Sequence, residues 1–199
     1  LGGCSTAPML SSRTARSLGE GKQRIQLMPG LPVLGVSYER GLSEKFDVGL
    51  GVELQLTPVY SAFGKYALIT NDQGWSLAAL GGGFYGSGIV DSYGGYAGPI
   101  TSWRKNWFEI FLFPRYNYVQ WRGLKRDSQD DTDSLFFDVV DDVSRAQFHY
   151  LQTNLGMNFH TSERFSFGVG VSHFVFLESR YVKGSSVGWL PELSFAWSF

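Results

Sequence analysis

Apolar and polar residues alternate with a period of two along most of this chain. The clearest run is 46–56. Phe46, Val48, Leu50, Val52, Leu54 and Leu56 share one parity, and Asp47, Gly49, Gly51, Glu53 and Gln55 share the other. Successive side chains of an extended strand point to opposite faces, so this run predicts a strand with one apolar and one polar face. The stretch 187–199, VGWLPELSFAWSF, repeats the pattern. Trp189, Pro191, Leu193, Phe195, Trp197 and Phe199 lie on one side, and Glu192, Ser194, Ala196 and Ser198 lie on the other.

Eight further segments carry the same alternation, some weakly: 22–27, 33–40, 62–70, 75–84, 92–104, 107–121, 147–159 and 165–178. In 107–121 the apolar parity is Phe108, Ile110, Leu112, Pro114, Tyr116 and Tyr118; in 147–159 it is His149, Leu151, Thr153, Leu155, Met157 and Phe159. Proline removes a ladder donor, so bulges or gaps are expected at Pro99, Pro114 and Pro191, and Pro58 breaks the run at 57–61. The count is ten strands, or eight if 22–27 or 92–104 is not one.

The connections fall into two sets. Those at 41–45, 71–74, 105–106 and 160–164 are short, whereas the opposite set includes 86–91 and the long 122–145. Short turns on one side and longer loops on the other suit a membrane barrel. Most strands reach the ~9–11 residues that a tilted crossing needs. So much apolar strand surface in lipid requires closure, because an open edge would leave backbone groups unpaired. The expected fold is therefore all-β, a transmembrane antiparallel up-and-down barrel over 22–199, with 122–145 as its long external loop.

Composition narrows the field. Aromatics are 16% of the 199 residues, Gly contributes 25, charged residues are 18%, and the formal net charge is −1. No apolar run approaches the ~18–20 residues of a membrane helix. The near-zero charge gives no footprint for nucleic acid. The single cysteine, Cys4, excludes an internal disulfide. The segment 5–21 is polar and aperiodic and reads as a flexible tether.

Two stretches resemble known signals. The closing strand, with Phe195, Trp197 and Phe199 on one parity, resembles the C-terminal signal of bacterial outer-membrane β-barrels, which the assembly machinery reads. Leu1-Gly2-Gly3-Cys4 resembles the end of a lipoprotein signal peptide, followed by Ser5 rather than Asp. These resemblances imply a Gram-negative outer-membrane lipoprotein acylated, with palmitate for example, on Cys4. Residues 1–3 would be removed, and 1–21 would form a lipobox remnant and periplasmic tether.

The inward parity collects most strand charges: Lys22, Arg24, Glu39, Asp47, Glu53, Lys65, Glu109, Arg115, Glu178 and Glu192. A small barrel is packed with side chains and has no through-channel. A lumen network of Glu39, Asp47, Glu53, Glu109, Arg115 and Glu192 is therefore expected, with Arg115 contacting at least one of these acids. The histidines are His149, His160 and His173, and no HExxH, CxxC or phosphate-loop motif is present. His160-Thr161-Ser162 with Glu178 resembles the His-x-Ser and later Glu of the lipid A deacylases, but the topology separates these residues. The aspartates 127, 130, 131, 133, 138, 141 and 142 match no calcium loop. Leu135-Phe136-Phe137 among them suits contact with the barrel mouth or a protein partner. The resulting expectation is a non-enzymatic structural or interaction barrel without catalytic residues, metal or cofactor. Its partners are outer-membrane lipid and the assembly machinery. A lipid A hydrolase and a narrow pore are the alternatives.

Overall fold

The computed structural model describes residues 7–30, 33–55, 57–88, 90–124, 147–179 and 188–199. Ten strands follow one another: β1 (Gln23–Pro29), β2 (Leu34–Gly41), β3 (Phe46–Leu54), β4 (Pro58–Ile69), β5 (Gly74–Gly86), β6 (Val90–Lys105), β7 (Phe108–Leu124), β8 (Gln147–His160), β9 (Phe165–Ser179) and β10 (Gly188–Ser198). Each pairs antiparallel with its neighbours in sequence, and β1 pairs with β10 to close the barrel. The alternative of eight strands is thereby excluded. The hairpins after β2, β4, β6 and β8 mark one end of the barrel, the turn end, where β1 begins and β10 stops. The connections after β1, β3, β5, β7 and β9 mark the other, the loop end.

Alternation decides which face is which. Leu50, Val52 and Leu54 are exposed on the outside, as are Ile25, Leu112, Leu155, Leu193 and Trp197, while Asp47, Glu53, Glu109 and Glu192 are buried inside. An apolar belt outside with the strand charges turned inward belongs to a barrel that crosses a bilayer. Asn106 holds the tight β6–β7 turn with φ of 54°, a left-handed conformation that asparagine tolerates.

The prolines act in different ways. Pro58 was expected outside a strand, yet it opens β4 and pairs with Leu54. A first residue has no ladder donor to lose there, and its carbonyl accepts from Ser87 N at 3.1 Å. Along β6–β7 the register runs through Ala97↔Tyr116 and resumes at Thr101↔Leu112. By that register Pro99 faces Pro114 in the gap, so two missing donors coincide. Pro191 keeps its pairing with Val171.

The largest departure from expectation lies before β1. The described part of 5–21 is not a tether outside the barrel. Ala7, Leu10, Ser11, Ser12, Arg13, Thr14, Ala15 and Arg16 are all buried, because the chain enters the lumen at the turn end and runs up inside it. Two glycines make room. A Cβ on Gly41 would lie 1.9 Å from the carbonyl oxygen of Gly19, and one on Gly35 would lie 2.5 Å from Leu10 Cδ1. The missing side chains let the wall strand β2 approach the inner segment at both points.

Candidate functional site: the plugged lumen

A backbone inside a barrel brings peptide donors and acceptors that need partners. The wall supplies them level by level. At the turn end, Asp47 Oδ1 and Oδ2 accept from Leu18 N, each at 3.2 Å, and Oδ1 also accepts from Ser17 Oγ at 2.8 Å. Lys65 Nζ donates to the Arg16 carbonyl at 2.8 Å, and Gln26 Nε2 donates to that of Ser12 at 2.8 Å. Higher up, Glu192 accepts from Ser11 N at 3.0 Å and Ser12 Oγ at 2.8 Å. Glu53 accepts from Met9 N at 2.8 Å and Leu10 N at 3.2 Å. At the top of the described segment, Gln152 Nε2 donates to the Met9 carbonyl, Arg115 Nη2 to that of Pro8, and Gln55 Nε2 to that of Ala7. Carboxylates on the wall thus meet plug N–H groups, and amides and cations meet plug carbonyls.

All six expected lumen residues, Glu39, Asp47, Glu53, Glu109, Arg115 and Glu192, face inward and are at most 5% exposed. They form several local sets instead of one network. Lys65 Nζ bridges Glu39 at 2.7 Å and Asp47 at 3.1 Å, and Arg24 approaches Glu39 at 3.8 Å. Glu109 meets Arg16 of the plug at 3.1 Å and His160 at 3.3 Å. Glu192 is held by neutral donors: Ser11, Ser12, Ser172 and Asn154.

The expected Arg115–carboxylate contact does not form. Arg115 donates from Nε to Gln152 Oε1 at 3.0 Å and from Nη2 to the same atom at 2.6 Å and to the Pro8 carbonyl. Its guanidinium lies over the Tyr96 ring, 4.9 Å from the centroid. Among the described residues it makes no ion pair. The reason is the plug, whose backbone N–H groups occupy Glu53 and Glu192 and leave a carbonyl for Arg115.

Other expected positions lie apart. Phe195, Trp197 and Phe199 stand exposed on the outside of β10 and at its end. Cys4, the aspartates of 127–142 and Leu135-Phe136-Phe137 lie outside the described residues. His160 and Glu178 sit at opposite ends of the barrel, since His160 pairs with Ser166 and Glu178 with His149 across β8–β9. Twelve residues of strand separate Ser166 from Glu178, roughly 40 Å. Ser162 Oγ accepts from Arg164 N and Phe165 N within its turn. The structure therefore does not bring the His160, Ser162 and Glu178 of the deacylase resemblance together. A polar recess of about 250 Å³ remains at the turn-end mouth beside the plug, lined in part by Arg16, Arg24, Arg104, His160 and Ser162.

The residues that sequence reasoning missed are those of the plug, above all Ser11, Ser12 and Arg16, with Gln152 and Asn154 opposite. One signal pointed to them. The inward parity carries an excess of acids over cations, so donors from elsewhere had to enter the lumen.

A closed antiparallel barrel with an apolar outer belt and a filled lumen that holds its buried charges is a transmembrane β-barrel. No protein-family model matches this chain, and no curated protein matches it. Among solved structures, the NanC porin is 12% identical, with a TM-score of 0.48 over 89% of this chain and 97% of that one. The N-terminal β-barrel domain of Pseudomonas aeruginosa OprF is 13% identical, with a TM-score of 0.34 over 91% of this chain and 99% of that one. Ail, the attachment invasion locus protein of Yersinia pestis, is 11% identical, with a TM-score of 0.39 over 90% and 99%.

Proposed function

We propose that this protein is a non-enzymatic bacterial outer-membrane barrel, closed by its own N-terminal segment and lipid-modified at Cys4, with a structural or interaction role. The observation that carries this reading is the occupied lumen. The plug is bonded to the wall from Leu18 to Ala7, with Arg115, Glu53, Glu192 and Gln152 packed around it. A conduit needs a continuous wet path, and these groups fill it. The aromatic outer face of β10 is what the assembly machinery reads, and the long loop 122–145 is where a protein partner docks.

Planar-bilayer recording tests closure directly. The intact protein is expected to show no steady ion conductance, and removal of residues 1–18 combined with Phe148→Ala, which opens the ring cluster at the loop end, is expected to open one. Steady conductance through the intact protein would overturn the reading. Lipidation has its own test: labelled fatty acid enters the protein and Cys4→Ala abolishes it, whereas a mature protein bearing no lipid refutes that part. Deleting Phe199 is expected to lower the yield of folded, heat-modifiable barrel.

A further inference from the structure

The turn-end mouth sorts its charges by depth. The recess beside the plug holds about 250 Å³, below the ~300–1,000 Å³ of sites for drug-sized ligands, so it suits a small ionic group. Five permanent cations line it, Arg16, Lys22, Arg24, Arg104 and Arg164, against three carboxylates, Asp72, Glu109 and Glu163. Arg16 is buried and Arg24 and Arg104 are half-buried, whereas Asp72 and Glu163 stand exposed on the rim. Glu109, the buried acid of the three, is already engaged by Arg16 at 3.1 Å and His160 at 3.3 Å. The surplus of positive charge therefore lies toward the floor, in a chain whose formal net charge is −1.

These cations lack acceptors. Arg16 directs Nε to Glu109 and Nη2 to the Gly74 carbonyl at 3.0 Å, and its buried Nη1 has no partner. Arg24 reaches Glu39 only at 3.8 Å, an acid that Lys65 holds at 2.7 Å, and its Nε is likewise unpartnered. Lys22, Arg104 and Arg164 form no ion pair among the described residues. Buried charged donors without acceptors are costly, and an anion in the recess would satisfy them.

We propose that the turn-end recess is a binding site for a phosphate group, carried by a soluble molecule or by a lipid headgroup. Guanidinium forks match phosphate and carboxylate oxygens alike. The choice of phosphate follows from direction. Arg16 comes from the plug, Arg24 from β1, Arg104 from β6 and Arg164 from the β8–β9 hairpin, so the donors surround the recess. A planar carboxylate presents two oxygens, whereas a phosphate group presents three strong acceptor oxygens spread in space. The hydroxyls of Thr14, Ser166 and Ser198 line the same recess and add neutral donors. The site does not depend on whether the lumen conducts, and it gives the protein a ligand at the end of the barrel opposite the β7–β8 connection.

Calorimetry on the full chain in maltoside micelles, which carry no phosphate of their own, tests the site. Three probes are titrated at constant ionic strength set with chloride: inorganic phosphate, glycerol phosphate, and phosphatidylglycerol added to the micelles. Saturable binding is expected, weakened roughly tenfold or more by Arg104→Gln combined with Arg164→Gln. Arg164 lies in an exposed turn, so Arg164→Gln alone, expected to weaken binding in the same direction, serves if the double variant fails to fold. Lys45→Gln removes a charge at the same end of the barrel but outside the recess, and is expected to leave the affinity unchanged. Saturation by inorganic phosphate or glycerol phosphate assigns a soluble ligand, and saturation by phosphatidylglycerol alone assigns a headgroup. Saturation by no probe, unchanged affinity in the arginine variants, or an equal loss in Lys45→Gln would overturn the proposal.

Discussion

The lumen has two halves that solve the same problem differently. Toward the turn end it is polar, with Asp47, Glu39, Lys65, Glu109 and Glu192 all buried. Toward the loop end, among the described residues, apolar side chains predominate: Val59, Phe84, Val119, Phe148, Tyr150 and Phe174 are buried beside Ser92 and Asn117, with Trp121 and Phe176 packed against the cluster. Rings meet there at close range, Trp121 to Phe148 at 5.4 Å edge-on and Tyr150 to Phe176 at 5.7 Å. The difference follows the plug. Where a strand of backbone occupies the lumen, its N–H and C=O groups must be satisfied, and the wall has to be polar. Toward the loop end aromatic rings pack edge-on and tilted against one another. Much of the polarity of the wall answers the peptide groups of the plug, and the Glu39–Lys65 pair adds a wall-to-wall contact beside it.

The contrast breaks most sharply at Lys65. Its ammonium is the one cation touching both Glu39 and Asp47 among the described residues. Lys65→Met is expected to cost about 3–5 kcal/mol, because it strands two buried carboxylates. Urea titration of protein folded into lipid vesicles measures this. A loss below ~1 kcal/mol would mean that the acids do not depend on Lys65.

In the apolar half the expected loss has another origin. Phe148 touches Trp121, Tyr150 and Phe176, with centroids 5.4 to 6.3 Å away. Phe148→Ala is expected to cost about 3–4 kcal/mol through the cavity it leaves. The same titration detects it, and bilayer recording is expected to remain silent because the plug below is untouched. Conductance in Phe148→Ala would show that the aromatic half, and not the plug, is the seal.

The outer wall sets the scale for both. Leu50 is 62% exposed in mid-strand, so Leu50→Arg is expected to cost about 2–4 kcal/mol at the bilayer midplane. Its neighbour fails differently. A Cβ on Gly49 would lie 2.2 Å from Phe63 Cζ, so even Gly49→Ala requires the ring to move. If Leu50→Arg were silent while a charge at Tyr96 were tolerated, the assignment of faces would be inverted.

Much of this was legible in the chain. Strict alternation in 46–56 and 187–199 fixed faces and parity, and a one-residue slip would have turned Glu53 and Glu192 out into lipid. Short turns against long loops gave the order of the ends. The plug was not legible, because its residues have no period. Pro8, Ser11, Ser12 and Thr14 read as linker composition, and their burial depends on partners such as Glu192 and Gln152 that are more than a hundred residues away. Nor does local pattern distinguish an acid awaiting a cation from one awaiting a backbone N–H.

That last distinction is measurable at Arg115. The excess of inward acids suggested an ion pair, whereas the guanidinium is held by Gln152 and the Pro8 carbonyl over Tyr96. Removing a charged donor from neutral acceptors strands no counter-charge, so Arg115→Met is expected to cost about 1–3 kcal/mol, mostly from acceptors left unpaired. A double-mutant cycle separates the two cases. Arg115→Met combined with Glu53→Gln is expected to show a coupling of at most ~1 kcal/mol, carried by the adjacent plug residues Pro8 and Met9 that the two side chains hold without touching each other. Lys65→Met with Glu39→Gln, which do touch, is expected to show a coupling of ~1–3 kcal/mol. Equal coupling in the two cycles would mean that Arg115 serves the acids after all. It would also mean that the plug is not what keeps Arg115 from them.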